Sequence, residues 1–317
     1  MKKGITGFLS DNAVSFAGII IITAFFTIAT GGRLLTSANM QAILDQIVPL
    51  IIGGLGMIFV VSQGSIDMSQ GSLVALSGTL AIMASNQFGF AVLFPVALLC
   101  GAAVGLFNGV ILSRFKVPSL MLTFAMLIGL RALVALFTQG DVMFASPEIL
   151  SINDYPIKLS LFIALVLVFG YLFEYTKIGY HCKAIGENEI VGAYTGVAVG
   201  KSKILAYVLS GLMAGVVGVL TVARIGGVDP GMGNFFELQV MLALFIGGVP
   251  VNGGMQSRIY KLLIGAPTVA ILDSGLILCG VGGELSEMIK GAVLLLVVFI
   301  TLLPRAGSRK RTGFAKA

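Results

Sequence analysis

The chain has 317 residues, 57% hydrophobic and 11% charged, with a net charge of +6 and a mean hydropathy of +1.03. Soluble domains carry about 25% charged and about 45–50% apolar residues, so this composition excludes a soluble fold and requires lipid. The basic excess sits at the ends of apolar runs and in the C-terminal SRKRTGFAKA, the pattern of cytoplasmic loops, and it excludes nucleic-acid binding.

Little strand alternation is present, so the spans read as helices rather than as a barrel. The 42 glycines fit that reading, because small residues let helix backbones approach closely in a bilayer. The cysteines Cys100, Cys182 and Cys279 show no pair spacing, which points to neither a disulfide framework nor a metal site. Lys2 and Lys3 precede an apolar run from Val14 to Ala29 with no small-x-small cleavage site after it. This run reads as an uncleaved first span.

Ten apolar segments follow in order, at about 14–30, 40–62, 70–86, 90–112, 118–138, 158–175, 203–223, 236–250, 260–280 and 285–303. At about 20 residues each they use roughly 200 residues, leaving short loops. The expected fold is an all-α polytopic membrane protein of about ten transmembrane helices, one transmembrane domain over 1–317. Lysine and arginine set the orientation. Arg114 and Lys116, the interval 177–203, Arg258 and Lys261, and the C-terminal Arg305, Arg309, Lys310 and Arg311 fall on the cytoplasmic side, with both termini. Arg33 and Arg224 are the exceptions.

Two polar interruptions stand out. Segments two and three are joined by SQGSIDMSQGS, Ser62–Ser72. Asp67, with Ser65 and Ser69, reads as a helix start, and Gln70 sits where a capping box would place it. A counterpart, IGGVPVNGGMQSRI, begins at Ile246. Interrupted hydrophobic stretches in two halves point to broken helices around a transport path. Two ordinary cytoplasmic hairpins are the alternative.

Charges at membrane depth are functional candidates, and Asp273 within ILDSGLIL is one. Lys290 follows Glu287 at i, i+3, just after Glu284, and reads first as an interfacial pair on one helix face. Glu237, behind Asn234, reads as a helix N-terminal carboxylate that can also face the path.

The longest polar interval is Lys177–Lys203, KIGYHCKAIGENEIVGAYTGVAVGKSK, with four lysines and the only histidine. It is too short for a domain and long enough for a docking surface. Within it GVAVGKS imitates a phosphate-binding loop, but only three residues separate Gly196 from the Gly-Lys pair where four are needed. No nucleophile elbow, metal cluster or carboxylate pair marks an active site. The chain reads as a conduit whose energy comes from elsewhere.

Four blocks carry a family resemblance. Ser65–Gly78, SIDMSQGSLVALSG, is similar to the signature of the ribose-type ABC permeases. Gly105–Arg131 resembles that family's G-x-x-x-G segment, basic turn and following helix. In AIGENEIVGAYTGVAVGKSKILAY the residues Ala184, Gly186, Asn188, Gly196 and Val197 resemble its cytoplasmic loop. Glu237–Ile259 is similar to its E-L…GG…GG…RI block. Two departures stand beside these: Glu187 replaces a common Gly, and Ile190 and Val191 replace small residues.

The resemblance implies a permease subunit importing a monosaccharide. The expected partners are a cytoplasmic ABC ATPase that uses ATP and Mg, an extracytoplasmic sugar-binding protein, and a second permease copy or paralogue. The chain itself is expected to bind no cofactor. Gly186, Glu187, Asn188, Glu189 and Gly196 then belong to the ATPase-coupling segment. Asp67, Ser69, Asn108, Asn234 and Glu237 are the expected polar groups along the path. Alternatives are a permease for a nucleoside, branched-chain amino acid or autoinducer-like solute, and an ion-driven carrier using Asp67 or Asp273.

Overall fold

A computed structural model describes residues 13–302. Helix α1 spans Ala13–Ala29, and after a short 3-10 turn at Arg33–Leu35 α2 spans Ser37–Val61. Next come α3, Gln70–Phe88, α4, Leu93–Phe115, and α5, Ser119–Thr138. A long connection carries β1, Met143–Phe144, and α6, Pro147–Leu150, before α7 at Tyr155–Tyr175. Two short helices follow, α8 at Lys177–Glu187 and α9 at Glu189–Tyr194. The chain ends with α10, Val199–Ile225, β2, Gly227–Val228, α11, Phe236–Ile246, α12, Ile259–Leu278, and α13, Gly283–Leu302.

Among the described residues six helices are long and apolar enough to cross a membrane, while α1 and α11 are shorter apolar helices. Segment eight, read as 236–250, stops as a helix at Ile246. Gly248 (φ +94°) turns the backbone out of the helix, and Pro250 follows. Among the described residues the one strand pairing is a two-residue antiparallel ribbon, Met143 opposite Val228 and Phe144 opposite Gly227. It stitches the α5–α7 connection to the end of α10.

α10 and α2 are the buried axis. α10 packs on α4, α2 and α3, and α12 packs on α2, α1 and α11. The α4–α10 crossing depends on glycine. A Cβ at Gly109 would lie 2.6 Å from the Ile204 Cα, and at Gly101 and Gly105 it would strike the Gly211 and Tyr207 carbonyls. Spaced four apart, these three line one face of α4, so the backbones meet directly where lipid supplies no hydrophobic drive.

Proline in α2 shows a second local economy. Pro49 has no N–H to give to the Asp45 carbonyl four residues back, and the Arg224 Nη1 donates to that carbonyl instead, at 3.4 Å. Lys158 closes the same end of the bundle with an ion pair to Asp45 at 2.6 Å.

Candidate functional site

Two polar regions are built into this frame. The first is a corner at the end of the molecule bearing α8 and α9. Thr176 caps α8 by accepting from the Ile178 N–H at 3.3 Å. The helix ends at Glu187 because Asn188 is extended (φ −164°, ψ 111°), and the Asn188 side chain then caps α9 by accepting from the Ile190 and Val191 N–H groups at 3.0 Å each. The Gly-Glu-Asn sequence is therefore the joint between two helices, and the α9 cap satisfies two of its orphan donors.

Both interruptions recognised in the sequence end at this joint. The Gly254 N–H donates to the Ser62 carbonyl at 2.9 Å, directly linking 62–64 to 253–255. Gly186 lies on that contact: a Cβ there would sit 2.5 Å from the Gly254 nitrogen and strike the Ser62 carbonyl. Next door the Met255 N–H donates to the Glu187 carboxylate at 2.7 Å. Glu174, at the end of α7, accepts from Lys183 and Arg258 at 2.9 Å each and from the Ile259 N–H at 2.8 Å. Thus α8 is fixed to the start of α12 as well. Burial lowers the Lys183 pKa, while its ion pair with Glu174 opposes that effect.

Gln63 fastens the corner from inside. Its amide donates to the Cys182 sulfur at 3.0 Å and to the Ser202 carbonyl at 3.1 Å. Burial pushes the Cys182 thiol up to about 11. On the outer face, Glu189 pairs with Lys203 at 2.8 Å, and Gly196 (φ +87°) turns the chain toward α10. Ile190, Val191 and Tyr194 are exposed here, Tyr194 at 89%. The corner is thus rigid below and apolar above.

The second region is a buried polar cluster at the start of α3. Asp67 accepts from the Ser69 N–H at 3.0 Å, the Ser69 hydroxyl at 2.6 Å and the Ser210 hydroxyl at 3.0 Å. The Asn108 amide donates to the Ser69 hydroxyl at 3.0 Å. Gln70 does not form the expected capping box. Its amide reaches across to the Gly53 carbonyl on α2 at 2.9 Å, and the Ser69 side chain makes no cap bond. Glu237 is in the first turn of α11 and is buried against Gly71, where a Cβ would strike its carboxylate. Acceptor oxygens of Gln70, Asn108 and Glu237 are buried with no protein partner. Asn234 stands apart, exposed in the turn before α11.

Four anchors of this loop were not singled out in the sequence. The Tyr207 hydroxyl donates to the Ile66 carbonyl at 3.2 Å, Ser119 accepts from the Ile66 N–H at 3.2 Å, and Thr123 accepts from the Met68 N–H at 3.0 Å. Ser210 is the fourth. All sit on helices within apolar runs, where a lone hydroxyl gives no pattern to read.

Asp273 is occupied. Lys290 pairs with it at 2.7 Å and with Glu287, and Gln46 on α2 donates to it at 2.7 Å. The expected Glu287–Lys290 pair is present, but it is one arm of a network joining α2, α12 and α13. Among the described residues no group of three His, Cys, Asp or Glu is placed to hold a metal ion.

Comparison with known proteins agrees with this architecture. Residues 39–298 match the profile of the family described as branched-chain amino acid transport system / permease component. The chain is 32% identical to the ribose import permease protein RbsC of Escherichia coli K12 over 84% of this chain and 86% of that one. It is 32% identical to the L-arabinose ABC transporter permease protein AraH of Azospirillum brasilense, over 90% of this chain and 87% of the relative. It is 29% identical to the galactofuranose transporter permease protein YtfT of Escherichia coli K12, over 85% and 83% respectively. No solved structure matches the chain.

Proposed function

The chain belongs to the family of branched-chain amino acid transport system permease components, and on that premise we propose that it is the membrane-spanning subunit of an ABC importer for a monosaccharide. The sugar class follows relatives named for ribose, L-arabinose and galactofuranose. A cytoplasmic ATPase supplies the energy from ATP and Mg, a binding protein delivers the sugar, and a second permease copy or paralogue completes the pathway.

In this reading the whole chain is one membrane domain that crosses ten times. The crossings are α1, α2, α3, α4, α5, α7, α10, α11 with the turn after it, α12 and α13. Both termini are cytoplasmic, as is the segment 177–203. Segments two-three and eight-nine are broken helices whose freed backbone groups find protein partners, as a bilayer requires.

The observation that carries the proposal is the Asn188 corner. One exposed apolar helix, α9, stands on a rigid base that touches both interrupted regions through Gly186 and Glu187. A partner that grips α9 and moves on nucleotide closure displaces both interruptions together, a rigid-body device of the kind transporters use. The 62–69 loop then carries the motion to the cluster of Asp67, Ser69 and Asn108. There the unpartnered acceptors of Asn108 and Glu237 offer hydrogen bonds that suit sugar hydroxyls. In this reading Asn234 belongs to the outer mouth.

The test is reconstitution in liposomes with the cognate ATPase and binding protein. Uptake of a pentose or hexose that stops without ATP, without the ATPase or without the binding protein supports the reading. Uptake by the chain alone contradicts it.

A further inference from the structure

At the foot of α4 and α10 two adjoining cavities of about 410 and 360 Å³ share Lys116, Lys203 and Glu189 in their walls. Lys116 ends α4 in a left-handed conformation (φ 53°), which is uncommon for a residue with a side chain. Among the described residues no carboxylate pairs with it, and none pairs with Arg114 two positions earlier. Lys203 has one partner, the half-exposed carboxylate of Glu189. The cleft therefore holds more cation than anion. Apolar surface continues away from it on both neighbouring helices, where Phe115, Leu120 and Met121 are exposed at 70%, 50% and 68%.

We propose that this cleft binds an anionic phospholipid, the phosphate held between Lys116 and Lys203 and the acyl chains lying along α4 and α5. Paired cations favour a phosphate over a zwitterionic headgroup with its own compensating ammonium. The adjoining apolar faces favour a lipid over a free anion. Ile190 and Tyr194 of α9 line the larger cavity, so the headgroup sits against the segment assigned above to coupling. Lys203 is shared between lipid and Glu189, so the two compete for it.

The experiment uses the full-length chain in mild detergent without any partner, so its outcome does not depend on the transport assignment. Retained phosphatidylglycerol and phosphatidylethanolamine are compared by native mass spectrometry. Retention is read for the wild type, Lys116→Gln, Lys203→Gln, both together, the charge-keeping K116R/K203R, and Lys177→Gln as a cytoplasmic control. Preferential phosphatidylglycerol retention is expected, with a loss of about fivefold for each lysine neutralised. K116R/K203R and Lys177→Gln should retain it, and Glu189→Gln should raise retention by freeing Lys203. Equal retention of both lipids, or retention unmoved by K116Q/K203Q in a variant that still elutes as a folded species, overturns the proposal. Displacement of phosphatidylglycerol by millimolar inorganic phosphate assigns the cleft to a free anion and overturns it too.

Discussion

The Glu187 carboxylate accepts a hydrogen bond from the Met255 N–H at 2.7 Å, which ties the end of α8 to the polar turn before α12. One residue earlier, Gly186 lies on the Ser62–Gly254 backbone contact. Two stretches of chain about 190 residues apart in sequence therefore meet beneath one short helix. Gly186→Val, which forces a branched side chain onto two backbones, should cut ATP-driven uptake by at least about tenfold, an order expected for a misplaced rigid element. Membrane insertion should be retained. Vesicle uptake alongside a protease-protection assay checks both.

Asn188 alone supplies two acceptor contacts to the first turn of α9. Asn188→Ala should cost about 1 kcal/mol of local helix stability, and Asn188→Asp should restore it. Hydrogen exchange of the Ile190 and Val191 amides is the readout. Faster exchange in the alanine variant only is the expected result.

The helix packing gives a paired prediction. Gly109→Ala pushes a methyl into the Ile204 backbone and should destabilise by about 1–3 kcal/mol. Gly129 and Gly170 have nothing within 4 Å of a Cβ, so alanine there should be neutral or slightly stabilising. Thermal unfolding in detergent distinguishes the two sites.

Asp273 pairs with the buried Lys290, with Gln46 and Glu287 around them. Asp273→Asn leaves Glu287 as the carboxylate still paired with Lys290 and should cost about 1.5–3 kcal/mol, the range for a lost hydrogen bond to a charged group. Combining it with Lys290→Met should recover most of that loss in a double-mutant cycle. Uptake should persist in the double variant. Abolished uptake in a stable double variant would make Asp273 an ion-coupling group.

The thiols report on the corner directly. Cys279 is exposed, whereas Cys182 is buried, bonded by Gln63 and raised to about 11. At neutral pH maleimide should label Cys279 and spare Cys182. Since the thiolate is the nucleophile, raising the pH to about 9 should leave Cys182 mostly unlabelled. The Gln63 hydrogen bond holds the thiol down against burial, so Gln63→Ala should label Cys182 no faster than the wild type does.

Much of this architecture was legible in the chain because lipid imposes a simple rule: apolar runs become helices and polar gaps become ends. The six long apolar helices among the described residues and the polar helix ends at 62–69 and 176–188 follow from it. What stayed hidden is tertiary. Gln70 reads as a local capping residue because only the fold brings the Gly53 carbonyl within reach. Glu174 reads as the end of a span, although it gathers Lys183, Arg258 and the Ile259 N–H. Asp273 reads as a lone charge until α13 delivers Lys290. Ser210 and Tyr207 hold the 62–69 loop from inside an apolar helix. In each case the partner is over 15 residues away or the contact depends on helix rotation, which spacing alone does not define.

The central claim is that a separate ATPase grips α9. The most direct measurement is purification of the chain from its native membrane in mild detergent, with co-eluting proteins identified by mass spectrometry, for wild type and Tyr194→Arg. Tyr194 is 89% exposed, so the substitution tests docking rather than folding. The account predicts an ABC ATPase with the wild type and its loss with Tyr194→Arg. A wild-type chain that elutes without an ATPase, yet accumulates solute in liposomes under an ion gradient, would contradict it.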